Sequence, residues 1–150
     1  MKKITRPYHY SLDSPKEATQ EIFERATDYI SLMAQLDSWF PVAMVNKAGA
    51  YDDAEQREQL VLFIQDLRQL IQVMSKEDFF DNKLAKSLSN DFADKYNIQY
   101  IRIELFDFFF AVVSYDGPIK FDKLTCADYY YYFLTIAEST HEFKLYKYLK

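Results

Sequence analysis

The segment NIQYIRIELFDFFFAVVSYDG, from Asn97 to Gly117, is the most apolar stretch of the chain and decides its fold class. Plotted at about 100° per residue, its apolar side chains cover a very wide arc and leave only a narrow polar strip. The strip consists of Tyr100, Glu104, Asp107, Ala111 and Ser114, and Arg102 is the one polar residue outside it. A helix that is apolar on nearly all sides is a central helix, packed on most of its faces. The pattern therefore predicts a buried helix within residues 98–115.

The same segment also admits a strand interpretation. Ile101, Ile103 and Leu105 alternate with polar residues, and the segment is rich in β-branched and aromatic side chains. The alternation loses its phase at Phe106, no Gly, Pro or Asn offers a hairpin turn inside the run, and one unbroken strand of this length would be unusual. We therefore favour a mostly α fold, a single-domain bundle of five or six helices around a buried central segment 98–115. The runner-up is an α+β fold with 98–115 as strands.

The composition is that of one globular domain of 150 residues. Hydrophobic residues make up 49% and charged residues 27%, which is ordinary for a folded chain and excludes a disordered one. The chain has only 2 glycines, and this scarcity favours helices over sandwiches or barrels, whose tight turns use glycine. Tyr and Phe number 13 each, so aromatic side chains are in surplus.

The net charge of −5 argues against nucleic acid as a ligand, because phosphates require a basic protein face. The same charge suits a basic protein partner, since opposite electrostatic fields steer association. The first residues are polar and basic rather than apolar, so we expect no signal peptide, and no run is long enough to span a bilayer. These features predict a cytoplasmic protein that does not associate with membranes.

Capping residues and helical periodicity predict the N-terminal elements. Residues 1–13 are expected to form an extended arm. Ser14–Glu17 combine a capping serine, a proline at the first helical position and a glutamate that completes a capping box. An amphipathic helix is predicted from there to Leu36, followed by an irregular segment over 38–53 that Pro41 interrupts.

The same signals predict the remaining helices. One begins after Asp53 and ends near Met74, and another begins at Ser75 and ends near Tyr96. After the central segment, Thr125 is predicted to begin a helix that reaches about Glu138, with a last short helix from Ser139. The predicted core side chains of the first two of these helices are Leu60, Phe63, Ile64, Leu67, Leu70, Ile71 and Met74, then Phe79, Leu84, Leu88 and Phe92.

The sequence carries no catalytic or metal-binding signature. The two histidines, His9 and His141, are far apart, and no Glu-x-x-His motif accompanies the acidic residues near the N-terminus. Cys126 is the single cysteine and falls in the first turn of a predicted helix, where a thiol pKa can be lowered. Cys126 with His141 is thus the best enzymatic pair, but a lone cysteine is more often a small buried side chain. We predict that the chain is not an enzyme and binds no cofactor or metal.

The helix predicted from Thr125 offers the strongest candidate for a binding surface. A helical projection places one set on the exposed side: Asp128, Tyr131, Tyr132, Thr135 and Glu138. The opposite side, predicted to be core, holds Tyr129, Tyr130, Phe133, Leu134, Ile136 and Ala137. Tyrosine offers large rigid contact area plus a hydroxyl, and carboxylates complement a basic partner. Glu21, Glu24 and Asp28 are predicted to form a second acidic surface. The opposing interpretation is that both sides of the tyrosine helix are covered.

The run Asp128-Tyr129-Tyr130-Tyr131-Tyr132 resembles the Asp-x-x-Tyr-Tyr helix with which small acidic colicin-immunity proteins bind their nuclease toxins. The resemblance covers five residues and implies a class of bacterial immunity proteins and inhibitors rather than a shared fold. We therefore expect a binding module that neutralises a basic toxin or enzyme by direct contact. The alternatives are a helical subunit of a homo-oligomeric assembly and an enzyme with a dispersed cysteine or carboxylate site. The sequence leaves the oligomeric state open.

Overall fold

The computed structural model describes residues 19–23, 28–75, 83–118 and 122–149, with side chains described as far as His141. Within these ranges the regular structure is helical throughout, without a β-strand. Helix α1 is described over 19–23, and the other helices are α2 (Tyr29–Val45), α3 (Ala54–Met74), α4 (Lys83–Lys95), α5 (Ile98–Val113) and α6 (Lys123–Leu149). The mostly α prediction is confirmed, and the runner-up with strands over 98–115 is wrong. None of these helices, in the part of the chain described, is both long and apolar enough to cross a membrane.

Helix α5 is the central segment, and its first turn shows why it begins where it does. The side chain of Asn97 accepts a hydrogen bond from the Tyr100 amide at 2.7 Å, which satisfies a backbone donor that the helix itself leaves unpaired. The helix ends at Ser114, shortly before the Asp116-Gly117-Pro118 turn signal. It packs most extensively on α6 and also on α2. Its buried side chains are Ile101, Leu105, Phe108, Ala111 and Val112.

Trp39 of α2 occupies the centre of the core and is fully buried. Its ring centroid lies 5.7 Å from that of Phe108 on α5 and 5.5 Å from that of Phe133 on α6, the latter edge-on at 88°. Such tilted and edge-to-face aromatic pairs add to the stabilisation that burial provides. The three rings therefore join α2, α5 and α6 at one point.

The prediction for helix α3, its limits and its core side chains, is confirmed almost residue for residue. Asp53 caps it by accepting from the Gln56 amide at 2.7 Å, and all seven predicted core side chains are buried. The predicted core side chains of helix α4 are confirmed in part. Phe92 is buried and Leu88 packs against the core, whereas Leu84 is 60% exposed. The predicted burial of Leu84 is wrong. Phe79 lies outside the described residues, as do residues 76–78 of the predicted cap.

The first long helix was predicted to run unbroken to Leu36, and both its continuity through Asp28 and its end are wrong. The predicted arm over 1–13 and the predicted cap at 14–17 lie outside the described residues. Helix α2 begins only at Tyr29, because the Asp28 carboxylate caps it by accepting from the Ser31 amide at 2.7 Å. It then continues to Val45, through much of the segment predicted to be irregular and through Pro41. Pro41 has no N–H to donate to the Asp37 carbonyl. Both residues are exposed, so water can take the place of that hydrogen bond. A proline on the solvent side of a helix is thereby tolerated.

Helix α6 is one helix where two were predicted, and the break at Ser139 is wrong. The hydroxyls of Ser139 and Thr140 donate to the carbonyls of Thr135 and Ala137, each at 2.7 Å, so these residues remain inside the helix instead of capping a new one. The helix also begins before Thr125, because Asp122 caps it by accepting from the Leu124 amide at 3.0 Å.

Candidate protein-binding site

The buried and exposed sides of α6, the helix with the four tyrosines, differ in part from those predicted. Phe133, Ile136 and Ala137 are fully buried, as predicted. Tyr132 and Thr135 were predicted to be exposed, but only 9% and 1% of their surfaces are accessible. Their predicted exposure is wrong because α6 packs against α4 and α2 as well as α5, so more than one of its faces is covered.

The other members of the predicted patch are half-buried. The ring of Tyr131 contacts that of Tyr130 at 5.2 Å, and Tyr130, predicted to be core, stacks on Phe109 of α5 at 4.8 Å. The Glu138 carboxylate accepts from the Arg102 guanidinium at 2.7 Å and is thus engaged within the chain. Asp128 is also half-buried. Of the tyrosines in the predicted patch, Tyr131 is the one that stays partly exposed.

Of the second predicted acidic surface, the structure describes Glu21 and Asp28. Glu21 is exposed, and Glu24 lies outside the described residues. Asp28 is exposed but caps α2, and its hydrogen bond from the Ser31 amide lowers the pKa of its carboxyl. Asp28 therefore serves as the N-cap of α2.

Helix α5 carries an exposed apolar surface that the sequence analysis missed. Ile103, Phe106 and Phe110 are 61%, 52% and 48% exposed, although the segment was predicted to be packed on most sides. Their spacing of i, i+3 and i+7 places them on one stripe, about 10 Å long at 1.5 Å per residue. The Phe106 and Phe110 rings stack with centroids 6.3 Å apart. We name these three residues the α5 stripe. Arg102, the one polar residue outside the predicted strip, was the signal that this side of the helix meets solvent.

One edge of the α5 stripe is acidic, because Asp107 lies four residues after Ile103 and three before Phe110. Glu104 lies one turn before Asp107, farther round the helix. Burial raises the pKa of the Glu104 carboxyl; the nearby Asp107 adds to the rise, while Tyr51 opposes it. Burial also raises the pKa of Asp107. In the described ranges neither carboxylate has an ion-pair partner, and Glu104 Oε1 is shielded from solvent without a hydrogen-bond donor. The hydrogen bond from the Tyr51 side chain is what opposes the rise of the pKa at Glu104, so Oε1 alone is left without a donor.

The loop over 46–52 is hydrogen-bonded to α5 near these carboxylates. The Asn46 side chain donates to the Ala111 carbonyl and to the Ser114 hydroxyl, and Tyr51 donates to the Glu104 carbonyl at 3.3 Å. Gly49 lies so close to α5 that an added Cβ would come within 2.9 Å of the Ala111 Cβ. The close approach therefore requires glycine, and the loop lies on the side of α5 that carries Glu104 and Ala111.

The opposite edge of the α5 stripe is formed by α6. The Arg102–Glu138 ion pair and the Phe109–Tyr130 stack show that the two helices run antiparallel. This register places Phe106 at the level of Leu134, one turn beyond Tyr130. The α5 stripe with its two edges and the neighbouring Tyr130 and Tyr131 form what we call the α5–α6 face.

The enzymatic pair considered from the sequence is not brought together. Cys126 and His141 lie on the same helix, about 22 Å apart along its axis. Cys126 is fully buried, with its sulfur 3.9 Å from Gln35 Nε2, and burial raises the pKa of its thiol to about 11. His141 contacts the Tyr96 carbonyl at 2.8 Å, and burial lowers the pKa of its ring. Across the described ranges, no group of three or more His, Cys, Asp or Glu side chains could hold a metal ion.

A shallow groove of about 230 Å³ lies between α3 and α4. Its central carboxylate, Asp66, accepts from Lys95 Nζ and from the Tyr96 hydroxyl, each at 2.6 Å. The groove is smaller than the pockets that hold drug-sized ligands, and its main polar group already has two donors. It offers no comparable binding surface.

Comparison of the chain with models of protein families, with curated proteins and with solved structures finds no match. Over the described residues the chain is a helical bundle with an exposed aromatic pair, Phe106 and Phe110, beside the Asp107 carboxylate.

Proposed function

We propose that the chain is a binding module, an immunity protein or inhibitor that acts in the bacterial cytoplasm by holding a basic toxin or enzyme against its α5–α6 face. The observation that carries this proposal is the α5 stripe, with Asp107 along its edge. Exposed apolar residues that are contiguous mark interaction sites more often than scattered ones. Negative charge beside them suits a partner that brings cations.

The aromatic character of the face supports the same function. Phe106 and Phe110 offer stacked rings, and Tyr131 adds a ring and a hydroxyl from the next helix. Large aromatic side chains dominate the binding energy of many interfaces. Tyr131 stays a predicted contact residue, whereas Tyr132 and Thr135 serve the core and leave the proposal. The loop of residues 46–52, bonded to α5, presents the face in a fixed form, which reduces the entropy lost on binding.

The proposal is tested by capture followed by an inhibition assay. The wild-type chain captures its partner from a lysate of the native host, the partner is identified and purified, and its own activity is measured with and without the chain. We expect inhibition at a one-to-one ratio. Phe106→Ser should weaken binding by about 30-fold, as for an interface hot spot. Leu84→Ser, an equally exposed position on α4, should leave binding unchanged. A captured partner that stays active in the complex, or that binds Phe106→Ser as well as wild type, contradicts the proposal.

The same α5 stripe favours one second candidate, a helical subunit of a homo-oligomer. The spacing of Ile103, Phe106 and Phe110 follows the apolar seam of helices that pair with one another. Light scattering on the purified chain separates the candidates. An oligomer at micromolar concentration that Phe106→Ser dissociates supports self-assembly, and a monomer of 17.9 kDa removes it.

A further inference from the structure

We draw no further inference here: the strongest candidate, the exposed apolar stripe of Ile103, Phe106 and Phe110 on α5, carries none beyond the proposed function, because nothing in the part of the chain that the structure describes shows what covers it.

Discussion

Glu104 belongs by its backbone to a core helix, while its carboxylate is partly buried beside the α5 stripe. Burial, and secondarily Asp107, raise the pKa of this group above that of the unfolded chain. Between these two pKa values the folded state binds more protons than the unfolded state. The free energy of unfolding therefore falls as the pH rises through this window, which begins near the ordinary pKa of about 4.3.

The variant Glu104→Gln should remove this contribution to the pH dependence. We expect the variant to become more stable relative to wild type as the pH rises from about 4 to about 7, because only the wild type must ionise a partly buried carboxyl group. Urea unfolding of both proteins at a series of pH values measures the difference. Asp107 and His141 are present in both proteins, so their own titrations largely cancel. A difference that stays flat or reverses its sign would show that Glu104 titrates like an exposed side chain.

Cys126 should be chemically inert in the folded chain. A thiol pKa of about 11 leaves about one thiolate per thousand thiols at pH 8, and the side chain is fully buried. Alkylation by iodoacetamide, followed by mass spectrometry, should be more than tenfold slower in the native chain than in urea. The native chain reacting as fast as the unfolded one would restore Cys126 as a candidate nucleophile.

At the scale of the element, α5 has two apolar faces, one packed in the core and one exposed to solvent. Phe108 is fully buried against Trp39, whereas Phe106 is 52% exposed. Phe108→Ala should lower the free energy of unfolding by about 3–5 kcal/mol, the usual loss for a buried phenylalanine. Phe106→Ala should lower it by less than about 1 kcal/mol. Urea melts of the two variants measure the contrast, and equal losses would mean that the α5 stripe supports the fold.

The elements that could be predicted are those whose signals are local. Asp53 and Asn97 cap α3 and α5 with their own side chains, and the core stripe of α3 repeats regularly along the sequence. Pro41 and Ser139 wrongly predicted helix breaks, because their effect on a helix depends on their surroundings. At Pro41 water can replace the missing backbone hydrogen bond. The Ser139 hydroxyl donates to a carbonyl of its own helix instead of capping a new one.

The exposed apolar side of α5 could not be predicted because exposure is set by neighbouring elements. Because the α5 sequence is apolar on nearly all sides, it does not indicate which side other elements will cover. The loop of residues 46–52 covers the polar strip at Glu104 and Ala111, so the apolar side at Ile103 and Phe106 is left exposed. The same holds for α6, where adjacent Tyr131 and Tyr132 differ in burial only because of what packs beside them.

At the scale of the whole molecule, charge and apolar contact should govern different steps of binding. The net charge of −5 acts over distances comparable to the Debye length and attracts a basic partner before contact. The α5 stripe acts only once the surfaces touch. The association rate constant should therefore report the charge, and the dissociation rate constant should report the stripe.

Kinetics with the captured partner can separate these two steps. Raising the salt concentration from about 50 mM to about 500 mM should slow association by at least about tenfold, because screening removes the long-range attraction. Phe106→Ser keeps the net charge, so it should leave association within about threefold of wild type and speed dissociation by at least about tenfold. Stopped-flow fluorescence measures both constants. Association that ignores salt would show that the acidity of the chain has no part in recognition, and a Phe106→Ser effect confined to association would remove the α5 stripe from the contact.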